Sequence, residues 1–165
     1  MTDTILNVAV IGASGYTGAD AVRLLARHPQ ARIAAHVAER RAGEAMDAVF
    51  PHFPAGPADR LVKAEDVDWA AIDVAVCGLP HGTAQEVIAG LPSSVKVVDM
   101  SADFRLRDAG VYAQWYGRSH DHPALLAEAV YGLTEHYRDP LRAARLAACP
   151  GCFPTAALLL LLPLA

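Results

Sequence analysis

Apolar runs of strand length recur along the chain, separated by turn residues and by stretches with helical spacing. Ile5 to Ile11 is a continuous apolar run broken only by Asn7, and Gly12-Ala13-Ser14-Gly15-Tyr16-Thr17-Gly18 follows directly. Gly18, Ala21, Val22 and Leu25 then fall on one helical face, and His28-Pro29 ends that helix, because proline disfavours helical geometry in the residue before it. Ala31 to Val37 and Asp73 to Gly78 are further strands; a helix from Thr83 to Ala89 follows the latter, and Val95 to Met100 is the next strand. Residues 44–70 carry little pattern beyond a proline-broken aromatic loop at Phe50–Pro54 and an acidic connector at Glu65–Asp68. Residues 106–128 read as irregular. Val130 to Glu135 is a short extended piece before a polar helix around Arg138–Arg142. Arg145 to Ala148 is a last short strand, and Thr155 to Leu162 reads as a buried helix. Strand and helix alternate throughout, which predicts an α/β fold with a doubly wound, Rossmann-type parallel sheet.

The chemistry-bearing residues collect where these strands end. A glycine-rich turn between a buried strand and a helix lets backbone approach a pyrophosphate and aims helix N–H groups at it. Gly12, Ser14, Gly15, Tyr16, Thr17 and Gly18 are therefore expected around dinucleotide phosphates, although the spacing is G-x-x-G-x-x-G, and a tight structural turn is the competing account. After the second strand, Glu39, Arg40 and Arg41 stand together. An acid at that place reads a ribose 2′-hydroxyl and an arginine a 2′-phosphate, so the signal is mixed; NADP(H) through Arg40 is favoured, against a solvated charged loop. His81 and Gly82 follow the third strand and are expected to line the cofactor crevice, with no partner in the sequence to make His81 an acid or base. Ser101, Asp103 and Arg105 leave the next strand as an anion clamp, or else as an internal Asp103–Arg105 pair that shapes the loop. Cys152 lies in Cys149-Pro150-Gly151-Cys152, on a turn at the mouth of a helix. There the positive end of the dipole favours a thiolate, the nucleophilic form of cysteine; a small buried residue filling a turn is the plain alternative.

Composition narrows the class. At 165 residues and 53% hydrophobic, with net charge −4 and acids and bases interspersed, the chain reads as one globular domain without the basic stripe of a nucleic-acid binder. Cys77, Cys149 and Cys152 form no disulfide framework, which fits a reducing cytoplasm, and Cys77 inside a strand is core. His52, His120 and His122 lack companions at metal-ligand spacing, so no metal is expected. The N-terminus lacks a basic segment of signal-peptide type, and the apolar tail from Ala156 to Ala165 is too short to span a bilayer. That tail needs covering, so a continuation beyond Ala165 or a partner chain is expected.

Five separated segments, in this order, resemble the N-acetyl-gamma-glutamyl-phosphate reductase family of arginine biosynthesis: Gly12–Gly18, Gly78-Leu79-Pro80-His81-Gly82, Asp99-Met100-Ser101-Ala102-Asp103-Phe104-Arg105-Leu106, Tyr131-Gly132-Leu133-Thr134-Glu135, and Pro150-Gly151-Cys152-Phe153-Pro154-Thr155. The resemblance implies a cytoplasmic, NADPH-dependent oxidoreductase. Its cysteine, matching Cys152, displaces inorganic phosphate from an acyl phosphate, and the resulting thioester is reduced to N-acetyl-glutamate 5-semialdehyde. Ser101 and Arg105, read above as part of an anion clamp, are expected to serve substrate or phosphate; residues 1–148 are expected to form the NADP-binding domain, and residues 149–165 to carry the nucleophile turn and open a substrate and dimerisation domain. The full-length enzyme is then expected to be a homo-oligomer. Two departures stand out. Cys149 occupies a place where the family usually has asparagine, creating a C-x-x-C pair capable of a reversible disulfide. The resemblance covers the family's N-terminal portion and not its histidine-bearing second domain, so the chain is read as the N-terminal portion of such an enzyme, expected by itself to bind NADP(H) at best, with little turnover. The lysine-pathway aminoadipyl-phosphate reductase and aspartate-semialdehyde dehydrogenase remain alternatives within the superfamily. From other classes stand a thioredoxin-type C-x-x-C protein and a non-catalytic dinucleotide-binding module.

Overall fold

The computed structural model describes residues 4–53 and 60–165; Pro54, the last residue of the expected aromatic loop, lies outside them. The chain divides into two compact units, Met1–Leu79 with Pro92–Val95, and Pro80–Leu91 with Lys96–Ala165.

In the first unit, β1 (Leu6–Ile11) leads through the glycine turn into α1 (Tyr16–Leu25), then β2 (Ala31–Val37), a single helical turn α2 (Met46–Val49), β3 (Leu61–Val62) and β4 (Val74–Cys77). The strand order is β3-β2-β1-β4, and each of these neighbours pairs parallel. Val8 to Ile11 are all at most 3% exposed, as expected of a parallel strand covered on both faces. Val8, Val10, Ala13, Val22, Ala38, Met46 and Leu61 make one apolar core. The buried side of α1 is Gly18, Ala19 and Val22, with Ala21 and Leu25 only partly covered. Ala19 thus replaces Ala21 on the expected face. Strand order reverses between β1 and β4, the switch point outside whose carboxyl ends ligands bind in open α/β sheets.

The second unit contains α3 (Ala84–Gly90), β5 (Lys96–Asp99), α4 (Ala109–Tyr116), α5 (Pro123–Glu128), β6 (Val130–Tyr131), α6 (Thr134–Ala143), β7 (Leu146–Ala148) and α7 (Cys152–Leu161). Its strands run in the order β5-β7-β6, also parallel. The register sets Asp99 beside Ala148, and Ala148 beside Tyr131. Three strand ends therefore stop at one level, where Cys149 begins.

The doubly wound α/β class is the one found. Two local expectations are corrected. Residues 106–128 are helical, not irregular: Asp108 caps α4 by accepting the Val111 N–H at 2.8 Å, Gly117 ends it in the left-handed region (φ 68°), and Pro123 opens α5. The last helix starts at Cys152, three residues before the expected Thr155, and none of its residues is buried. Gly151 caps it, Pro154 sits in the first turn where a missing N–H costs nothing, and Thr155 bonds back to the Gly151 carbonyl through both N–H and hydroxyl, each at 2.9 Å.

Candidate active site

The glycine turn is built for close backbone approach. Gly12 sits at φ +80°, and a Cβ there would lie 2.7 Å from the Gly78 carbonyl at the end of β4. A Cβ on Gly18 would collide with the Gly12 carbonyl, so only glycine lets α1 pack against the turn. Gly12 and Ala13 donate their N–H groups to Val37 at the end of β2, and Gly15 donates to Gly12. Ser14, Tyr16, Thr17 and Gly18 donate to no backbone acceptor among the described residues. Their amides surround an exposed helix start with Gly15 at the cap. These free donors and the absent side chains fit the pyrophosphate of a dinucleotide. Tyr16 is 88% exposed, and its ring lies 6.0 Å from that of Phe50.

The charged residues after β2 separate by partner. Glu39 accepts the Ala64 N–H at 3.1 Å, and Arg41 pairs with Glu44 at 3.4 Å. Arg40 is exposed, with no hydrogen bond or ion pair to another described residue. Glu39 Oε1 thus takes a backbone amide, and Arg40 is left open, a residue type able to take a 2′-phosphate at this place. A cleft of about 670 Å³ in this unit is lined by Asn7, Val22, Arg27, Ile33 and Met46 among others, and none of the expected site residues borders it.

In the second unit, the loop after β5 wraps a buried carboxylate pair. Asp99 accepts from the Ser101 N–H at 2.9 Å and from the Ser101 hydroxyl at 2.7 Å; burial pushes its carboxyl up, against those two bonds. Asp103 is fully buried and accepts from the Gly82 N–H at 2.8 and 2.7 Å and from the Tyr112 hydroxyl at 2.7 Å. Neither of the two expected roles for Asp103 therefore holds: it is not a clamp open to solvent, and it does not pair with Arg105. Arg105 reaches the other way. Its Nε donates to the Cys149 carbonyl at 2.7 Å and its Nη2 to the Met100 carbonyl at 3.1 Å. Its remaining Nη1 lies 3.2 Å from where a Gly151 side chain would start, so the guanidinium edge stands beside the thiol turn. Ser101 is buried, its hydroxyl shared between Asp99 and the Asp103 N–H.

His81 is exposed and meets Tyr116, ring centroids 6.1 Å apart. Gly82 takes φ +82°, and a Cβ there would press on the Arg118 guanidinium. His120 is buried and locked: Nδ1 accepts the His122 N–H at 3.1 Å, which makes Nε2 the donor to the Asp103 carbonyl at 3.0 Å. Burial lowers its pKa. Among the described residues, no group of three or more His, Cys, Asp or Glu is placed to hold a metal. Tyr112 and Gln85 carry no role expected from the sequence, and His120 is weighed there only as a metal ligand; of these, Gln85, a polar residue on the apolar side of α3, carries a signal.

The two thiols at the end of β7 differ. Cys149 is half-buried and its N–H donates to the Asp99 carbonyl at 2.7 Å; burial, then the Asp99 charge, raises its thiol pKa. Cys152 is exposed at the first position of α7. Gly151 between them is extended (φ −69°, ψ 157°), so the helix includes only the second cysteine. Tyr131 and Gly132 flank the turn, and a Cβ on Gly132 would lie 3.0 Å from the Ala148 carbonyl.

Over residues 7–144 the sequence matches the family described as semialdehyde dehydrogenase, NAD binding domain. A probable chloroplastic N-acetyl-gamma-glutamyl-phosphate reductase of Oryza sativa subsp. japonica is 56% identical over 159 residues, 96% of this chain and 38% of the relative. The N-acetyl-gamma-glutamyl-phosphate reductase of Cereibacter sphaeroides is 56% identical over 148 residues, 90% of this chain and 43% of its own length. The chain thus spans less than half the length of these curated relatives. Among solved structures, aspartate semialdehyde dehydrogenase II from Vibrio cholerae complexed with ASA superposes at TM-score 0.66 and 19% identity, over 98% of this chain and 46% of that one. Aspartate semialdehyde dehydrogenase with NADP from Candida albicans gives 0.66 and 16%, over 98% and 47%. At these identities the likeness is one of fold.

Proposed function

The chain belongs to the family of semialdehyde dehydrogenase NAD-binding domains, its sequence matching N-acetyl-gamma-glutamyl-phosphate reductases, and from that membership we propose that it carries the cofactor site and nucleophile of an NADP-dependent acyl-phosphate reductase. The substrate is N-acetyl-glutamyl 5-phosphate, and the products are N-acetyl-glutamate 5-semialdehyde and inorganic phosphate, in arginine biosynthesis. Residues 1–148 serve as the NADP-binding domain, and residues 149–165 open the catalytic domain of a homo-oligomeric, cytoplasmic enzyme. No helix among the described residues is long and apolar enough to cross a membrane.

The observation that carries this reading is the placement of Cys152: exposed, first in α7, and next to a turn whose carbonyl Arg105 holds. The first N–H groups of α7 have no intrahelical partners and can donate beside this thiol. Cys152 Sγ attacks the acyl carbon; the C–O bond to phosphate breaks, phosphate leaves with the electron pair, and a thioester forms. The covalent step divides one hard reduction into two easier ones. Arg105 Nη1 stands beside the turn and would bind the departing phosphate, since a guanidinium forks onto such anions, while the buried Ser101 hydroxyl, committed to Asp99, would serve by shaping the loop that carries Arg105. Gly12, Ser14, Gly15, Tyr16, Thr17 and Gly18 would hold the pyrophosphate of NADPH, Arg40 its 2′-phosphate, and His81 and Gly82 would line its crevice. Bound NADPH supplies the hydride that releases the aldehyde.

The C-x-x-C redox alternative loses support from the extended Gly151 and from the raised, half-buried Cys149 thiol. Incubation of the purified protein with N-acetyl-glutamyl phosphate, followed by mass spectrometry, is the direct test. An acyl adduct on Cys152 with release of phosphate is expected, and it should vanish in Cys152→Ser but persist in Cys149→Ala. Absence of any adduct, with NADPH still bound, would leave the non-catalytic dinucleotide module as the better description.

A further inference from the structure

One buried aspartate bonds directly to the His81–Gly82 turn through its carboxylate and, through its backbone N–H, joins a chain of bonds that ends at the thiol turn. Asp103 Oδ1 and Oδ2 accept the Gly82 N–H at 2.8 and 2.7 Å, fixing a glycine whose φ of +82° few other residues adopt. The Asp103 N–H donates to Ser101 Oγ at 3.1 Å, Ser101 Oγ donates to Asp99 Oδ2 at 2.7 Å, and the Asp99 carbonyl accepts the Cys149 N–H at 2.7 Å. Asp99, Ser101 and Asp103 are at most 5% exposed. Behind Asp103 the network closes on itself. The Tyr112 hydroxyl donates to Oδ1 and accepts from Gln85 Nε2 at 2.9 Å, while Gln85 Oε1 accepts the Asp121 N–H at 2.9 Å. His120 Nε2 donates to the Asp103 carbonyl at 3.0 Å. Among the described residues no arginine or lysine makes an ion pair with Asp103, so this carboxylate is held by amide and hydroxyl donors.

We infer that Asp103 is a positioning residue: it sets the His81–Gly82 turn and, through Ser101 and Asp99, the Cys149–Cys152 turn. A buried carboxylate is costly unless every lone pair is satisfied, and this cost makes its bonds rigid. The Gly82 amide and the Cys149 amide are both end points of that one rigid unit. A carboxamide in its place would turn an NH2 toward a donor and free one end. The inference rests on the proposed roles of His81–Gly82 and Cys152.

Two readouts that need no turnover test it in the purified protein: NADPH affinity by fluorescence, and the pH profile of Cys152 alkylation by iodoacetamide, located by mass spectrometry. Both are measured well below each variant's melting temperature. Asp103→Asn should weaken NADPH binding by about tenfold and shift the Cys152 alkylation profile. Tyr112→Phe, which touches neither loop, should produce both changes in smaller measure, and it carries the test if Asp103→Asn does not fold. A merely structural role would lower the melting temperature and leave both readouts at wild-type values in the folded variants; that result overturns the inference alone. A wild-type protein that fails to bind NADPH, or that alkylates at Cys149 instead of Cys152, overturns the proposed function and this inference with it.

Discussion

Arg105 Nε donates to the Cys149 carbonyl at 2.7 Å, tying the loop after β5 to the residue that opens the thiol turn. The same guanidinium holds the Met100 carbonyl at 3.1 Å, so it spans two backbone segments while one nitrogen remains toward Gly151. Lysine keeps the charge, but its donors radiate from one nitrogen and lack the planar fork that meets these two carbonyls from separate nitrogens. Arg105→Lys is therefore expected to slow acylation of Cys152 by the acyl phosphate by about tenfold or more, with Arg105→Ala slower still. Stopped-flow phosphate release measures it; a Lys variant at the wild-type rate would show that the bridging geometry is irrelevant.

Two glycines of the first turn should part company. Gly12→Ala forces a side chain into φ +80° and to 2.7 Å from the Gly78 carbonyl, and should cost about 1–3 kcal/mol of stability. Gly15 has ordinary negative φ, and a Cβ there would be 3.4 Å from the Gly12 carbonyl. Gly15→Ala should melt near the wild-type temperature yet lose NADPH binding, because its methyl group stands where phosphate must approach backbone. Thermal melts paired with NADPH titrations separate the two effects.

His120 gives stability an acid limb. Burial lowers its folded pKa below the ordinary value near 6.5, so in the window between the two values the unfolded chain binds a proton that the folded one does not. Stability should be complete above the ordinary value, decline as pH falls through that window, and level off below the folded value. His120→Gln, which retains a donor for the Asp103 carbonyl, should flatten this limb relative to wild type. Denaturant unfolding across the pH range reads the difference.

Tyr112 should mark the basic side. Burial and the Asp103 carboxylate raise its hydroxyl pKa to about 12. The folded protein should thus show one tyrosine missing from the ordinary ionisation step in an alkaline ultraviolet titration, and Tyr112→Phe should remove that late step. Above the ordinary pKa of tyrosine near 10, stability should fall as the unfolded chain ionises first. At neutral pH the same substitution leaves Asp103 and Gln85 each short of a partner, at a cost of about 1–3 kcal/mol.

Much of the framework was legible in the sequence because it is written locally. β2 occupies Ala31–Val37, the span its apolar run predicts, and the glycine segment lies at the junction of β1 and α1, with Gly12–Gly15 in the turn and Tyr16–Gly18 in the first turn of the helix. Periodicity was a weaker guide to which side of α1 is buried, since Gly18 must abut the Gly12 carbonyl and that contact brings Ala19 inward. Residues 106–128 hid two helices because aromatic and polar residues mask their spacing, although Asp108, Gly117 and Pro123 were stop and start signals in plain view. At the site, turn chemistry and charge singled out Cys152 and Arg105, and the Arg105 guanidinium lies beside the Cys149–Cys152 turn. The bond from Gly82 to Asp103, 21 residues apart, and that from Tyr112, nine residues beyond Asp103, join segments that only the folded sheet brings together. No local pattern announces such pairs.

Glu39 stands where an acid would read a ribose hydroxyl, yet its carboxylate is committed to the Ala64 N–H at the start of a 3-10 turn. Any attempt to redesign the coenzyme choice of this protein has to solve two problems. Deleting Arg40 removes a cation but provides no acceptor for a bare ribose. Recruiting Glu39 for that purpose strands the Ala64 amide, so a substitute acceptor must be built for Ala64 before Glu39 is free to change its allegiance.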